Sequence, residues 1–410
     1  MTLIPLQSDK AYTGVSKQTT QGVAVAPTYF PRWTDGSSLE IDAKMEDIWE
    51  GDGTRRLSFI IKNLQMVKIK HTCYPRPNEI AFFEAAAAGA TSDTYTAPAT
   101  GTAITTSGSG NIAGSTTLTL SASTGLGASG SAQLVIGAGT STEEIVTVTT
   151  PGSANAFTVT VPSTGLKYTH AAGAIAEGAA SHVITDQVDG NYYTWEFSLA
   201  GTSGIIIRVR DCKLSTCKRG AKAGTLLSYE TEWEGIACTA QASAATVTLD
   251  THQPFLYDTG VWTLDGSTTG DALAVDQFDI STKNNLDVVQ TEGLTPAAII
   301  FGNLGMDLSL QVIFQNSNRI ASTYFGGTAG TTDAQAVAAG TLLLVFTQAD
   351  NFHTLTFNTP TLNYSKVGIP QPKKDGKSWR LPISATSTSN QGVNTYLIQT
   401  TVTNTTYNAY

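Results

Sequence analysis

Residues 53–81 read GTRRLSFIIKNLQMVKIKHTCYPRPNEIA, and residues 293–321 read GLTPAAIIFGNLGMDLSLQVIFQNSNRIA. Displaced by 240 positions, the two stretches agree at Gly53/Gly293, Ile60/Ile300, Asn63/Asn303, Leu64/Leu304, Met66/Met306, Asn78/Asn318, Ile80/Ile320 and Ala81/Ala321. Chance pairing gives about two identities, so the eight found mark an internal duplication. The flanks agree: LEIDAKMEDIWEGDG before the first stretch and FDISTKNNLDVVQTEG before the second each read as a strand running into a polar, acidic loop.

Both copies have one order of elements. A strand (39–44; 278–283) leads through a long loop to a strand pair (57–61 with 66–73; 297–301 with 308–314). A short helix follows at 78–88 and at 317–325, where Ile80, Phe83 and Glu84 have the spacing of one helical face. YYTWEFSL, GIIIRVRDCKLS and LLSYETEWEGIAC close the first copy; LLLVFTQA, HTLTFNTPTLNYS and SWRLPISATS close the second. Period-two alternation of this kind makes strands, so the fold class is mainly β: two tandem β-sandwich domains, each with one short helix.

Further along, the best register changes to 148, with Leu214/Leu362, Lys218/Lys366 and Gly220/Gly368. The drop from 240 to 148 leaves 92 residues that only the first copy carries, between Ala90 and Lys213. Composition shifts at the same place. Residues 91–182 hold five charged side chains (Asp93, Glu143, Glu144, Lys167, Glu177), and the other 318 residues hold 52. TTLTLSAS, AQLVIGAG, EEIVTVTT and AFTVTVPS alternate within this stretch, so 110–178 reads as a small inserted β-sandwich or barrel reached through a flexible lead. The expected organisation is an N-terminal arm (1–30), a discontinuous first domain (31–92 and 183–245), the insert (93–182) and a second domain (246–410).

Composition narrows the function. A net charge of −9 and a pI near 5.0 argue against a protein that grips nucleic acid through its phosphates. No run approaches the ~18 apolar residues of a membrane helix, and MTLIPLQSDK lacks a signal-peptide pattern, so neither membrane insertion nor standard secretion is expected. Four cysteines suit a reducing compartment.

The catalytic motifs do not survive inspection. Gly376, Lys377 and Ser378 imitate the end of a phosphate-binding loop, but Gln371 stands where the first glycine belongs. Cys212 and Cys217, or His71 with Cys73, lack a paired metal-ligand spacing and read as buried free thiols with a strand histidine. His170 reads as a turn histidine with no carboxylate beside it. Glu230, Glu232 and Glu234 alternate along one strand and share a face, an acidic stripe that is solvated or lines a lumen. No catalytic, cofactor or metal site is expected, and the chain is not read as an enzyme.

The extended arm, the strand feeding an acidic loop, GTRRLSFIIKNLQMVKIKHTCY, the short helix, YYTWEF and RVRDCKLSTCKRG resemble the major tail tube protein of long-tailed bacteriophages. AIIFGNLGMDLSLQVIF and WRLPISA resemble the same domain again. The insert, with EEIVTVTT and LKYTHAAGAIAE, is similar to small β modules that decorate phage structural proteins.

The resemblance implies a structural virion protein, assembled in the bacterial cytoplasm. It would form stacked trimeric, pseudo-hexameric rings around a channel through which DNA passes without being bound. Implied partners are other copies of the chain, a tape measure protein and a tail terminator. Glu46, Asp47, Glu50 and Asp52, with Asp287 and Glu292, are then assigned to ring-on-ring stacking, and the arm to ordering on contact with the next ring. The insert would point outward, as shielding or for sugar binding. Two other readings are a surface adhesin that presents β domains to glycans and a glycan-degrading enzyme that uses the acidic strand.

Overall fold

Every second side chain from Met306 to Val312 is buried, and so is every second one from Tyr229 to Gly235. Such strands have one apolar face and must share it. The computed structural model describes residues 11–48, 59–94, 104–106, 111–121, 131–149, 156–186, 190–199, 205–269, 274–314, 318–325, 332, 339–368, 379–389 and 396–405. Within them the chain is mainly β.

The first part holds β1 (Tyr12–Lys17), β2 (Ser38–Ile48), β3 (Phe59–Cys73), α1 (Pro77–Ala88) and β4 (Gly89–Thr94). The insert region holds β5 (Ile104–Thr105), β6 (Thr117–Thr119), β7 (Ser131–Ile136), β8 (Glu144–Thr149), β9 (Ala156–Val161) and β10 (Ile175–Gly178). The chain returns through β11 (Ala180–Asp186), β12 (Tyr193–Ser198), β13 (Ile206–Lys222), β14 (Ser228–Gly235) and β15 (Ala237–Gln241). The last part holds β16 (Gly260–Leu264), β17 (Val275–Lys283), β18 (Asp287–Val289), β19 (Ala298–Ile300), β20 (Gly305–Ile313), α2 (Asn318–Phe325), β21 (Ala339–Thr347), β22 (Thr354–Val367), β23 (Arg380–Ser387) and β24 (Gln399–Asn404).

The duplication is visible in the pairing. In the first unit β1 pairs β12, β12 pairs β13, β13 pairs β14 and β15, β14 pairs β3, and β3 pairs β2. In the second, β16, β21, β22, β23, β24, β20 and β17 repeat that scheme strand for strand. Irregularities recur too. The ladder on β13 shifts between Val209 and Cys212 and again between Leu214 and Thr216; the ladder on β22 shifts between Thr359 and Leu362 and between Tyr364 and Lys366. The offset is 150 at each, not the 148 read from identities; bulges bend a strand at a fixed place, so they mark equivalence better than residue type does. By burial and register, β3 maps to β20 at 239 (Val67 to Met306) and β2 to β17 at 241 (Leu39 to Ile280).

Four sequence expectations need correction. The strand pair 57–61 and 66–73 is, from Phe59, one 15-residue strand, because β2 accompanies it along its length. The first strand runs on to Ile48, so Glu46 and Asp47 lie in a strand, not a loop. Part of the segment assigned to an arm is docked: β1 pairs β12 and buries Thr13 and Val15, while Phe30 is also buried. And the two units share one 16-stranded sheet, because β13 pairs β17. β11, after the insert, adds to β24 of the second unit and carries β4 outside it.

The described residues between 104 and 178 form a separate sheet in the order β5-β10-β7-β8-β9-β6. The bridge Thr106↔Leu120 joins its two ends, closing a small barrel around Leu134, Ile136, Val146, Val148, Phe157 and Val159. In the main body α1 is buried on nearly all sides, which its alanines allow by letting strands approach closely. Its Phe82 and Phe83 meet edge-on, and the edge-on contacts continue from Phe82 to Tyr193, from Tyr193 to Trp233 and from Trp233 to Trp195.

Candidate functional site

The joint between the units is antiparallel, with Thr216 opposite Lys283, Cys217 opposite Thr282 and Gly220 opposite Asp279. At Gly220 a Cβ would stand 2.4 Å from Asp279 Oδ1, so the close approach requires glycine. Beneath the joint lies a buried charge network. Arg219 donates from Nε to Glu84 Oε1 (2.6 Å), from Nη2 to Oε2 (2.7 Å) and from Nη1 to Thr282 Oγ1 (3.0 Å). Glu84 also accepts from the Tyr229 hydroxyl (2.6 Å) and the Thr400 hydroxyl (3.0 Å). Helix α1 of the first unit is thereby tied to strands of both.

The same two strand types recur at the ends of the molecule with no strand paired on their outer sides among the described residues. β2 is the terminal strand of the common sheet and pairs only β3. β22 pairs β21 up to Asn363 and β23 up to Val367, but it has no counterpart of β17 beyond Asn363. A hydroxyl, that of Tyr324, donates to the Val367 carbonyl there (3.0 Å). On β2, Ile41 is on the core side yet 45% exposed, whereas its equivalent Thr282 is fully buried. An apolar residue facing the core without cover is the mark of an unfilled edge.

The outward face of the sheet is polar across both units. Glu40, Asp42, Glu230, Glu232, Glu234, Asp279 and Asp307 alternate on it with Lys68, Lys70, Lys218 and Lys283. Thus Glu230, Glu232 and Glu234 do share a face, with Thr231 and Trp233 buried behind them, but it is a mixed ladder: Glu232 faces Lys70 and Glu234 faces Lys68 in register. Lys70 pairs with Glu230, Lys68 with Asp42 (3.4 Å) and Lys283 with Asp307 (3.1 Å).

Glu46 and Asp47 are exposed near the far end of β2, opposite Ile61 and Ile60, where that strand pair extends beyond β14. Asp287, in the small ladder β18·β19, faces Ile300 and is the counterpart of Glu46 by the offsets above. Glu292 is exposed in the following turn. The structure therefore places Glu46 and Asp287 on equivalent hairpins. Glu50 and Asp52 lie outside the described residues, as do Gly376, Lys377 and Ser378.

Cys73, Cys212 and Cys217 are buried, and burial pushes all three thiols up, so they are unreactive packing groups. His71 is fully buried against Trp195 and Phe83, and burial lowers it to about 3. The reading of His170 is corrected: its Nε2 lies 2.6 Å from Glu144 Oε1, both buried, because the Glu144 carboxylate accepts from the Lys167 and Tyr168 N–H groups just before the ring.

Sequence reading missed one constellation. Glu143 of the barrel, His252 of the segment joining the units and His353 of the β21–β22 turn meet in space, 109 and 210 residues apart along the chain. His252 Nε2 is 2.7 Å and His353 Nε2 3.2 Å from Glu143 Oε1, while His252 Nδ1 is 2.5 Å from Asp250 Oδ1. Burial opposes ionisation of Glu143, but the two histidines outweigh it and hold the carboxyl below its usual range. Burial likewise works against the His252 cation, yet Asp250 and Glu143 raise it to about 9. No spacing motif announces this group.

No protein-family model matches the chain, and no curated protein does. Among the described residues, no helix is long and apolar enough to cross a membrane.

Proposed function

We propose that the chain is a self-assembling structural subunit, of the kind that builds a phage tail tube. One observation carries this reading: the joint β13·β17 has both of its strand types repeated at the molecule's ends, without a partner strand on their outer sides among the described residues. A strand edge like β22 beyond Asn363 and one like β2 already pair inside the chain, so the same contact between copies is head-to-tail. A heterologous contact closes into a ring when its rotation permits, and closure removes every such edge. Because each chain supplies two units, three chains would give six equivalent units around an axis.

The polar face supports a conduit for DNA. Among the described residues, seven carboxylates against five ammonium groups, Lys366 included, with Lys68, Lys70 and Lys283 engaged by neighbouring acids, leave few cations to hold phosphate. A wall that bound each phosphate would have to release it at every step of passage. The hairpins carrying Glu46, Asp47 and Asp287 are the candidates for ring-on-ring contact. The tape measure and terminator partners and the virion location belong to the same proposal.

Negative-stain imaging of the purified chain at rising concentration tests it. Rings or hollow cylinders are expected. Particles that stay single at all concentrations, or solid fibres without a lumen, would overturn the reading.

A further inference from the structure

The cluster at the foot of the barrel has the donor set of a metal centre. Glu143 Oε1 and the Nε2 atoms of His252 and His353 converge, with all ligand atoms within 4.8 Å of one another. We propose that Glu143, His252 and His353 bind a divalent transition-metal ion, zinc foremost, that fastens the barrel to the second unit.

The donor set fits. Two neutral imidazoles and one carboxylate suit zinc, which takes tetrahedral N/O ligands at about 2.0–2.1 Å, so ligand atoms around it stand about 3.3 Å apart. The separations of 2.7 and 3.2 Å on Glu143 reach that with a small outward shift. Glu143 and His353 are almost wholly buried and His252 retains a little exposure, leaving a fourth position on that side for water.

The surroundings orient the ligands. Asp250 Oδ1 holds His252 Nδ1 at 2.5 Å, which fixes the tautomer and presents Nε2 as the ligand atom. The Gly139 N–H donates to Glu143 Oε2 (2.6 Å), leaving Oε1 for the centre. Asp250 and Glu143 bring two carboxylates to one enclosed place, a charge that a divalent ion offsets.

The three ligands come from three parts of the fold, so an ion would close a loop that side-chain packing alone closes loosely. Around it the Ile145 N–H donates to the Asn351 carbonyl (2.8 Å), and Lys167 Nζ lies 2.7 Å from Asp350 Oδ1. Phe352, held at φ 59°, packs against the small cluster of Val135, Ile145 and Ala179. These are the contacts a metal would stiffen.

The test uses the full chain, stripped with chelator, exposed to zinc chloride, desalted and analysed for metal. One zinc per chain is expected in the wild type and background in His353→Gln and Glu143→Gln. Cobalt in place of zinc should give the visible absorption of a four-coordinate site. Asp250→Asn, which spares all three ligands, should bind zinc about 10–100-fold more weakly. Zinc should also slow hydrogen exchange at the Ile145 amide in the wild type and leave it unchanged in His353→Gln. Wild-type protein that retains neither zinc nor cobalt overturns the proposal even if every variant misfolds. So does equal zinc retention by folded wild type and both ligand variants, which would leave the cluster a hydrogen-bonded ion pair. Neither result bears on whether copies of the chain assemble.

Discussion

At the inner joint Cys217 faces Thr282 and both are fully buried; at the outer edges their counterparts are Val367, 2% exposed, and Ile41, 45% exposed. The strand types are the same, but of the two outer counterparts only Ile41, whose equivalent Thr282 is covered at the joint, sees water. The joint also differs beneath the strands. There the buried Arg219–Glu84 pair of the first unit holds the second unit through Thr282 and Thr400. At the outer edges the offsets of 150 and 241 put Val367 and Ile41 in the places of Cys217 and Thr282, an apolar pair flanked by the exposed Lys366 and the partly exposed Asp42. A permanent seam can use a buried ion pair whose loss is ruinous. A seam that must form between separate molecules is better served by groups that tolerate water before contact.

The largest effect is expected from breaking the inner seam. Glu84→Ala leaves the Arg219 guanidinium buried without a carboxylate and strips Tyr229 and Thr400 of an acceptor. Removing one partner of such a pair costs about 3–5 kcal/mol. Urea unfolding followed by fluorescence should show the unfolding free energy falling by that amount, through a lower midpoint at unchanged slope. An unmoved midpoint would mean that apolar packing alone joins the units.

The next effect separates the two units by pH. His71 occupies in the first unit the place that Leu310 holds in the second, by the offset of 239. Burial depresses the folded His71 to about 3. The neutral ring therefore contributes its full stability above the unfolded value of about 6.5, and the contribution is lost progressively as pH falls towards 3. Between pH 6.5 and pH 5 the loss is about 2 kcal/mol. His71→Leu should abolish it, so the stability difference between variant and wild type should widen by about that amount from pH 7 to pH 5. A difference that stays constant would show that the ring is protonated without penalty.

How much of this was legible depends on what a sequence keeps. The duplication was readable because Asn63/Asn303, Met66/Met306 and Ile80/Ile320 survive in both copies. Strand alternation and the insert were readable because burial and composition leave periodic traces. Register was less so. Met66 and Met306 match in type, but Met306 takes the place of Val67, because parity is fixed by which face meets the core rather than by residue identity. The inner joint, the Glu84–Arg219 pair and the histidine cluster unite residues far apart in the chain, with 135 positions between the first two. Chemistry of that kind has no local signature.

The smallest energetic effect belongs to the outer seam, and it sharpens the comparison most. Carrying the register of β13·β17 to β22 and β2 with the offsets of 150 and 241 sets Lys366 opposite Asp42 and Val367 opposite Ile41. Lys366 is exposed, and Asp42 is partly exposed and bonded to Lys68. Replacing a single cross-strand charge pair is worth about 0.2–1 kcal/mol, too little to prevent assembly. The pair Lys366→Cys with Asp42→Cys should therefore still assemble. Directly opposed residues on antiparallel strands lie about 4.5–5.5 Å apart, within the range of a disulfide. Inside one chain the two positions are seven strand spacings apart along the sheet order β2-β3-β14-β13-β17-β20-β23-β22, on the order of 30 Å, so any bond between them joins separate molecules. Mild oxidation should give a ladder of covalent oligomers on a non-reducing gel. Moving one cysteine by a residue, with Val367→Cys and Asp42→Cys, turns the two thiols to opposite faces and should abolish it. Cross-linking of equal yield in both pairs would break the equivalence between the closed seam and the open one.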